Sequence, residues 1–122
     1  MSTQSFKDLI VWQTVSDMTV MIYGIFSEHR DFGFRDQIQR ASVSVMNNVA
    51  EDYARRSDKA FRNFLLIAKG SNTEVESMIL LAGRLQYITE AQQADLLDKN
   101  VATGRLLSGF INKLSAMDNK PS

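Results

Sequence analysis

Residues 34–55, FRDQIQRASVSVMNNVAEDYAR, decide the fold. Phe34, Ile38, Ala41, Val45 and Val49 recur at steps of three and four, which gathers them on one face of an α-helix. No period-two alternation competes with that spacing. At about 100° per residue the apolar arc is wider than one core stripe, because Val43, Met46, Ala50 and Tyr53 extend it to one side. Arg40, Ser44, Asn47, Glu51 and Arg55 make up the remaining polar strip. A wide arc means a helix covered from two directions, either by both neighbours within one bundle or by another subunit. The subunit reading is put ahead, so Val43, Met46, Ala50 and Tyr53 form a candidate oligomer interface.

The same spacing extends outward in both directions. Upstream, Leu9, Trp12, Val15, Thr19, Ile22 and Phe26 predict a first helix from Phe6 to about Glu28, with His29 to Gly33 as the connection. Downstream, Ser57 and Asp58 read as a turn and N-cap before a third helix. Phe61, Phe64, Leu65, Ala68, Val75, Ile79 and Ala82 carry that helix to about Tyr87, and it is expected to be the longest. Thr89 and Gln92 fit a capping box for a fourth helix. Its predicted stripe is Leu97, Val101, Gly104, Ser108, Ile111 and Ser115, flanked by Leu107 and Leu114.

Four such helices with short connections bury their stripes by packing side by side, so the expected fold is all-α, an antiparallel up-down-up-down four-helix bundle. One domain spans residues 6–117; residues 1–5 and 118–122 are expected to be frayed. The chain has 122 residues, enough for one self-standing core, and its single proline, Pro121, lies outside every helix. Leu66, Leu80, Leu81, Leu106 and Phe110 fall outside the main stripes and add apolar surface beyond a four-helix core.

Composition narrows the chemistry. The absence of cysteine excludes disulfides, thiolate metal sites and thiol nucleophiles. The N-terminus lacks secretory-signal features and no apolar run reaches the roughly 20 residues of a membrane span, which predicts a cytoplasmic protein with no membrane partner. Fourteen acidic and fourteen basic side chains give zero formal net charge, so nucleic-acid binding would have to use a local patch. His29 is the only histidine and sits in a connection, so the Glu-x-x-His pairs of di-iron bundles are missing and no catalytic pair forms around it. The acidic residues Glu51, Asp52, Glu74 and Glu76 point different ways on their helices. The expectation is a protein without enzyme activity, metal or cofactor.

Two polar groupings stand out. Arg55, Arg56, Lys59 and Arg62 cluster around the connection between helices two and three and join Arg40, Ser44, Asn47 and Glu51 as a candidate nucleic-acid or partner surface. Arginine forks suit phosphate, while neighbouring Glu51, Asp52 and Asp58 dilute the field. Asn48, Ser71 and Asn72 lie on or beside apolar faces, where a buried amide needs a partner or costs roughly 1 to 3 kcal/mol. They form a candidate polar core layer that sets helix register, or alternatively a ligand site.

Phe6-Lys7-Asp8-Leu9-Ile10-Val11-Trp12-Gln13 and the block from Gln37 to Glu51, followed in order by Arg55-Arg56-Ser57, Phe61, Phe64-Leu65, Ile67-Ala68 and Gly70-Ser71, resemble the 23S rRNA-intervening-sequence proteins. These four-helix bundles were first met as reading frames within bacterial large-subunit ribosomal RNA genes. The chain departs from the family pattern at Asp52, where glycine is usual, and at Ala60, where glutamate is usual. The resemblance implies a bacterial protein that forms a ring of five bundles, similar also to the accessory protein of diversity-generating retroelements, whose basic ring engages RNA and a reverse transcriptase. It thereby implies a homopentamer with RNA or a nucleic-acid-handling protein as partner, and no enzyme activity. A neutral surface recognising another protein, in an oligomeric scaffold, is the alternative.

Overall fold

The computed structural model describes residues 5–55 and 63–118. Over these the chain forms a 3-10 turn, Phe6–Asp8, and four helices: α1 (Ile10–Phe26), α2 (Phe32–Ala54), α3 (Phe64–Arg84) and α4 (Glu90–Asp118). Each helix packs on its sequence neighbours, and α1 closes the bundle against α4. α1 and α3 therefore stand on one diagonal, α2 and α4 on the other. The cross-helix pairs Asp31–Tyr87 and Ser44–Ser71 run in opposite sequence directions along α2 and α3, as Gly83–Gln93 and Asn72–Asn100 do along α3 and α4. Both neighbouring pairs are antiparallel.

The core consists of the stripes that the three- and four-residue spacing marks. Val15, Met18, Ile22 and Phe26 of α1 meet Ile38, Val45 and Val49 of α2 and Ala68, Val75 and Ile79 of α3, all buried. Each large aliphatic side chain so buried contributes roughly 1.5 to 3 kcal/mol over leaving it in water. Thr19, also on this face of α1, returns its hydroxyl to the Val15 carbonyl at 2.8 Å.

The helix ends depart from the expected boundaries for local reasons. The first helix is not continuous from Phe6: Ser5 caps the 3-10 turn by accepting from the Lys7 amide, and Leu9 is extended before α1 begins. That break lets Phe6 stand edge-on to Trp12, with ring centroids 5.2 Å apart. α2 begins at Phe32, ahead of the expected Phe34, because Asp31 is its N-cap and accepts from the Phe34 amide at 3.1 Å. α3 ends at Arg84 rather than Tyr87. Its C-terminus is closed by the Tyr87 amide on the Ala82 carbonyl and the Gln86 amide on the Gly83 carbonyl, with Gln86 at φ 60°. The Thr89–Gln92 capping box is present in both directions, at 2.9 and 3.0 Å.

Two expectations are corrected. α4, at 29 residues, is longer than the 21 described residues of α3. The inward face of α4 is also set one position away from the predicted stripe: Leu96, Asn100, Thr103 and Leu107 are buried, while Val101 is exposed. Polar Asn100 and Thr103 occupy two inward positions, so hydrophobicity alone points to the wrong face. The expected cap at Ser57 and Asp58, and Phe61 beyond it, lie outside the described residues, as do 1–4 and 119–122 of the expected frayed ends.

Candidate interaction surfaces

The candidate polar layer resolves into two hydrogen-bonded clusters. Between α2 and α3, the Ser44 and Ser71 hydroxyls lie 2.9 Å apart, and Asn48 Nδ2 donates to the Ser44 carbonyl at 2.8 Å and to Ser44 Oγ at 3.2 Å. Ser44 thus leaves the outward strip, where spacing had put it, and becomes a half-buried link between helices. Between α3 and α4, Asn72 is only 5% exposed and Asn100 3%. Asn72 Nδ2 donates to the Asn100 carbonyl at 3.0 Å, and Asn100 Nδ2 donates to the Asn72 carbonyl at 2.9 Å and to Asn72 Oδ1 at 3.1 Å. A Cβ at Gly104 would stand 3.4 Å from Asn72 Nδ2, in van der Waals contact with the clasp. Asn100 was not singled out from sequence; its spacing of four from Leu96 and seven from Leu107 was the available signal.

On the α2 strip, Arg40, Asn47, Glu51 and Arg55 are exposed. Arg55 Nε bonds Glu51 Oε2 at 3.1 Å, an exposed pair one helical turn apart that partly neutralises the arginine. Asp52, expected to sit beside Arg55 as a diluting surface charge, is instead buried on the core side at 3% exposure. Arg56, Lys59 and Arg62 lie outside the described residues. Val43, Met46, Ala50 and Tyr53 are each half-buried within the subunit, and Met46 packs against the core.

The most exposed large apolar side chains are Val20 and Ile10 of α1, Phe32 at the start of α2 and Leu66 of α3. On α3, Leu66 is 58% exposed, and Ile67, Leu80 and Leu81, with Leu85 at the C-cap, are each nearly half exposed. On α1, Ile10 is 67% and Val20 70% exposed. Leu106 and Phe110 of α4, by contrast, are half-buried against the core. A shallow groove of about 500 Å³ between α3 and α4 is lined by Lys69, Asn72, Glu76, Asn100, Gly104 and Arg105, among others.

His29 is not a free loop residue. Its Nδ1 accepts from the Asp31 amide at 3.1 Å, and its ring lies 4.2 Å from that of Tyr87. The Tyr87 hydroxyl donates to Asp31 Oδ2 at 2.8 Å, which ties the start of α2 to the segment after α3. The Phe34 amide and the Tyr87 hydroxyl together hold the Asp31 carboxyl below its ordinary value, and the bond to Asp31 raises Tyr87. Among the described residues no three of His, Asp or Glu converge as a metal site, and no helix is long and apolar enough to cross a membrane.

No protein of curated function matches the sequence. A crystal structure of a protein of unknown function from the S23 ribosomal protein family of Bacteroides thetaiotaomicron is 27% identical, with a TM-score of 0.76 over 84% of this chain and 98% of that one. The family model for the 23S rRNA-intervening sequence protein matches residues 7–109. With the four-helix architecture and a match spanning most of the chain, the protein belongs to the 23S rRNA-intervening sequence protein family.

Proposed function

We propose that this protein is a non-enzymatic, homo-oligomeric accessory module whose work is done by its helix surfaces. The observation that carries this reading is the outward face of α3. Leu66, Leu80 and Leu81 are exposed on the side of the helix opposite its buried stripe, in a chain whose core is already filled by other residues. Exposed large apolar side chains grouped on one face mark contact with another protein surface. A second copy of the chain is always available at matching concentration, and a homopentamer is the assembly the family resemblance favours. Light scattering on a size-exclusion column tests the reading: the expected result is a single multimeric mass at micromolar protein, and a strictly monomeric mass refutes it.

RNA or a ribonucleoprotein as the further partner is the second reading, favoured by the exposure of Arg40 and Arg55 on α2. The Glu51–Arg55 pair and the zero net charge weigh against strong binding by one subunit. An oligomer repeats the patch, so weak contacts add through avidity. Structured RNA should then bind at low salt, lose affinity as salt rises, and fail to bind an R55E/R56E/R62E variant of unchanged mass. Binding indifferent to that triple change would leave the protein-scaffold reading alone.

A further inference from the structure

The groove between α3 and α4 is lined by both amides of the clasp, and the clasp does not use all of their hydrogen-bonding capacity. Asn100 Nδ2 donates to the Asn72 carbonyl and to Asn72 Oδ1, and Asn72 Nδ2 donates to the Asn100 carbonyl. Among the described residues nothing donates to Asn100 Oδ1, and one of the two Asn72 Nδ2 hydrogens also has no acceptor. An acceptor on a side chain only 3% exposed calls for a donor. Charge is divided along the same groove. α3 and α4 run antiparallel through the Asn72–Asn100 pair, so Lys69, three residues before Asn72, and Arg105, five after Asn100, fall toward one end. Glu76, four residues after Asn72, falls toward the other. None of these three has an ion-pair partner among the described residues. On the α4 side Gly104, Ser108 and Gly109 keep the wall low beside the cations.

We propose that this groove binds a purine nucleotide carrying a 5′-phosphate, with guanine as the base it selects. The cationic end suits the phosphate, Arg105 through its planar fork and Lys69 as a point charge. The other end asks for donors, because Asn100 Oδ1 and the Glu76 carboxylate only accept. Guanine presents two adjacent donors on one edge, its ring N1–H and its exocyclic amine, and its O6 accepts from the remaining Asn72 N–H. Adenine presents one exocyclic amine beside an unprotonated ring nitrogen, which would face an acceptor. Lys69 and Glu76 are seven residues apart, about 10 Å along α3 at 1.5 Å per residue, which matches the reach of a nucleotide from phosphate to base edge. A volume of about 500 Å³ is that of a small-molecule site. Every lining residue comes from one subunit, so the site is independent of self-association. The same chemical group occurs as a free mononucleotide and at the 5′ end of an RNA.

Titration calorimetry of the full chain with guanosine 5′-monophosphate tests the assignment. The expected result is saturable binding of one nucleotide per chain with Kd below about 1 mM, and binding of adenosine 5′-monophosphate at least tenfold weaker. Gly109→Leu should weaken binding at least tenfold by filling the groove while keeping its helical circular dichroism, since a Cβ there meets nothing within 4 Å. Arg105→Glu should weaken the nucleotide tenfold or more and leave guanosine itself unaffected. Glu76→Gln should narrow the preference for guanine over adenine. A 5′-phosphorylated guanosine trinucleotide separates the two sources: tighter binding than the mononucleotide assigns the site to an RNA end, weaker binding to the free nucleotide. No heat of binding at millimolar nucleotide, or binding unchanged by Gly109→Leu, would overturn the proposal. Equal affinity for both bases, with inorganic phosphate competing as well as either, would overturn the base assignment.

Discussion

Replacing Asn100 with alanine removes the donor that closes the α3–α4 clasp. The loss includes its bonds to the Asn72 carbonyl at 2.9 Å and to Asn72 Oδ1 at 3.1 Å. A typical hydrogen bond contributes a net ~1 kcal/mol, and stranding a buried acceptor adds about 1 to 2 kcal/mol more. Asn72 is 5% exposed, so water cannot readily replace the missing donor. The expected destabilisation is about 2 to 3 kcal/mol, or roughly 8 to 15 °C in Tm for a domain of this size. Urea unfolding followed by helical circular dichroism, at one fixed protein concentration, measures it. The cycle with Asn72→Ala and the double variant carries the sharper test. If the two amides act as one unit, the double change costs clearly less than the sum of the singles, with a coupling near 1 kcal/mol or more. An Asn100→Ala variant within 0.5 kcal/mol of wild type, or strict additivity across the cycle, would refute the clasp as a stabilising element.

Gln86→Gly should stabilise the fold by about 0.5 to 1 kcal/mol in the same urea assay, because Gln86 holds φ 60° at the end of α3, where glycine carries no Cβ penalty. Thr89→Ala should cost about 1 kcal/mol by removing one arm of the capping box at α4, while Thr89→Ser should recover most of it. For Asp31, a native value depressed below the unfolded one means its stabilisation is present above the ordinary carboxylate value near 3.8 and is lost as pH falls through the lower native value. The Tm gap between wild type and Asp31→Asn should therefore narrow steadily in strong acid, and a gap independent of pH would count against the assignment. The raised Tyr87 works at the other end: its contribution is present below the ordinary value of 10.0 and lost as pH climbs through the native value, an alkaline loss that Tyr87→Phe should not show.

The parts of this architecture legible in the sequence are those in which a single physical signal acts alone. Ile38, Val45 and Val49 on α2, or Val75 and Ile79 on α3, are apolar at helical spacing with nothing opposing them, and they are core. The α4 face was misread because Asn100 and Thr103 are polar yet buried; each finds its partner in another helix or in its own preceding turn, information that spacing does not contain. Ser71 and Asn72 were recognisable as polar side chains on an apolar face, but their partners were not, since pairing across helices depends on how the helices cross. Asp52 shows the reverse error. A carboxylate beside two arginines reads as surface, and its burial follows from a helical position, three residues after Val49, that faces inward.

The division of charge among the helices also constrains what a third partner could touch. The surfaces of α2 and α4 carry most of the exposed charge among the described residues. On α2, Arg40 and Asn47 are exposed and Arg55 is shared with Glu51, so one subunit presents a mixed surface rather than a positive one. Zero net charge per chain remains zero net charge for any assembly of copies. Recognition of RNA through such a surface would rest on individual arginines and amides of the α2 strip rather than on the charge of the whole protein. Long-range attraction cannot supply it. Changing Arg40 and Arg55 together should therefore abolish binding of structured RNA at low salt without altering the mass of the protein, and RNA affinity indifferent to that double change would count against the α2 strip.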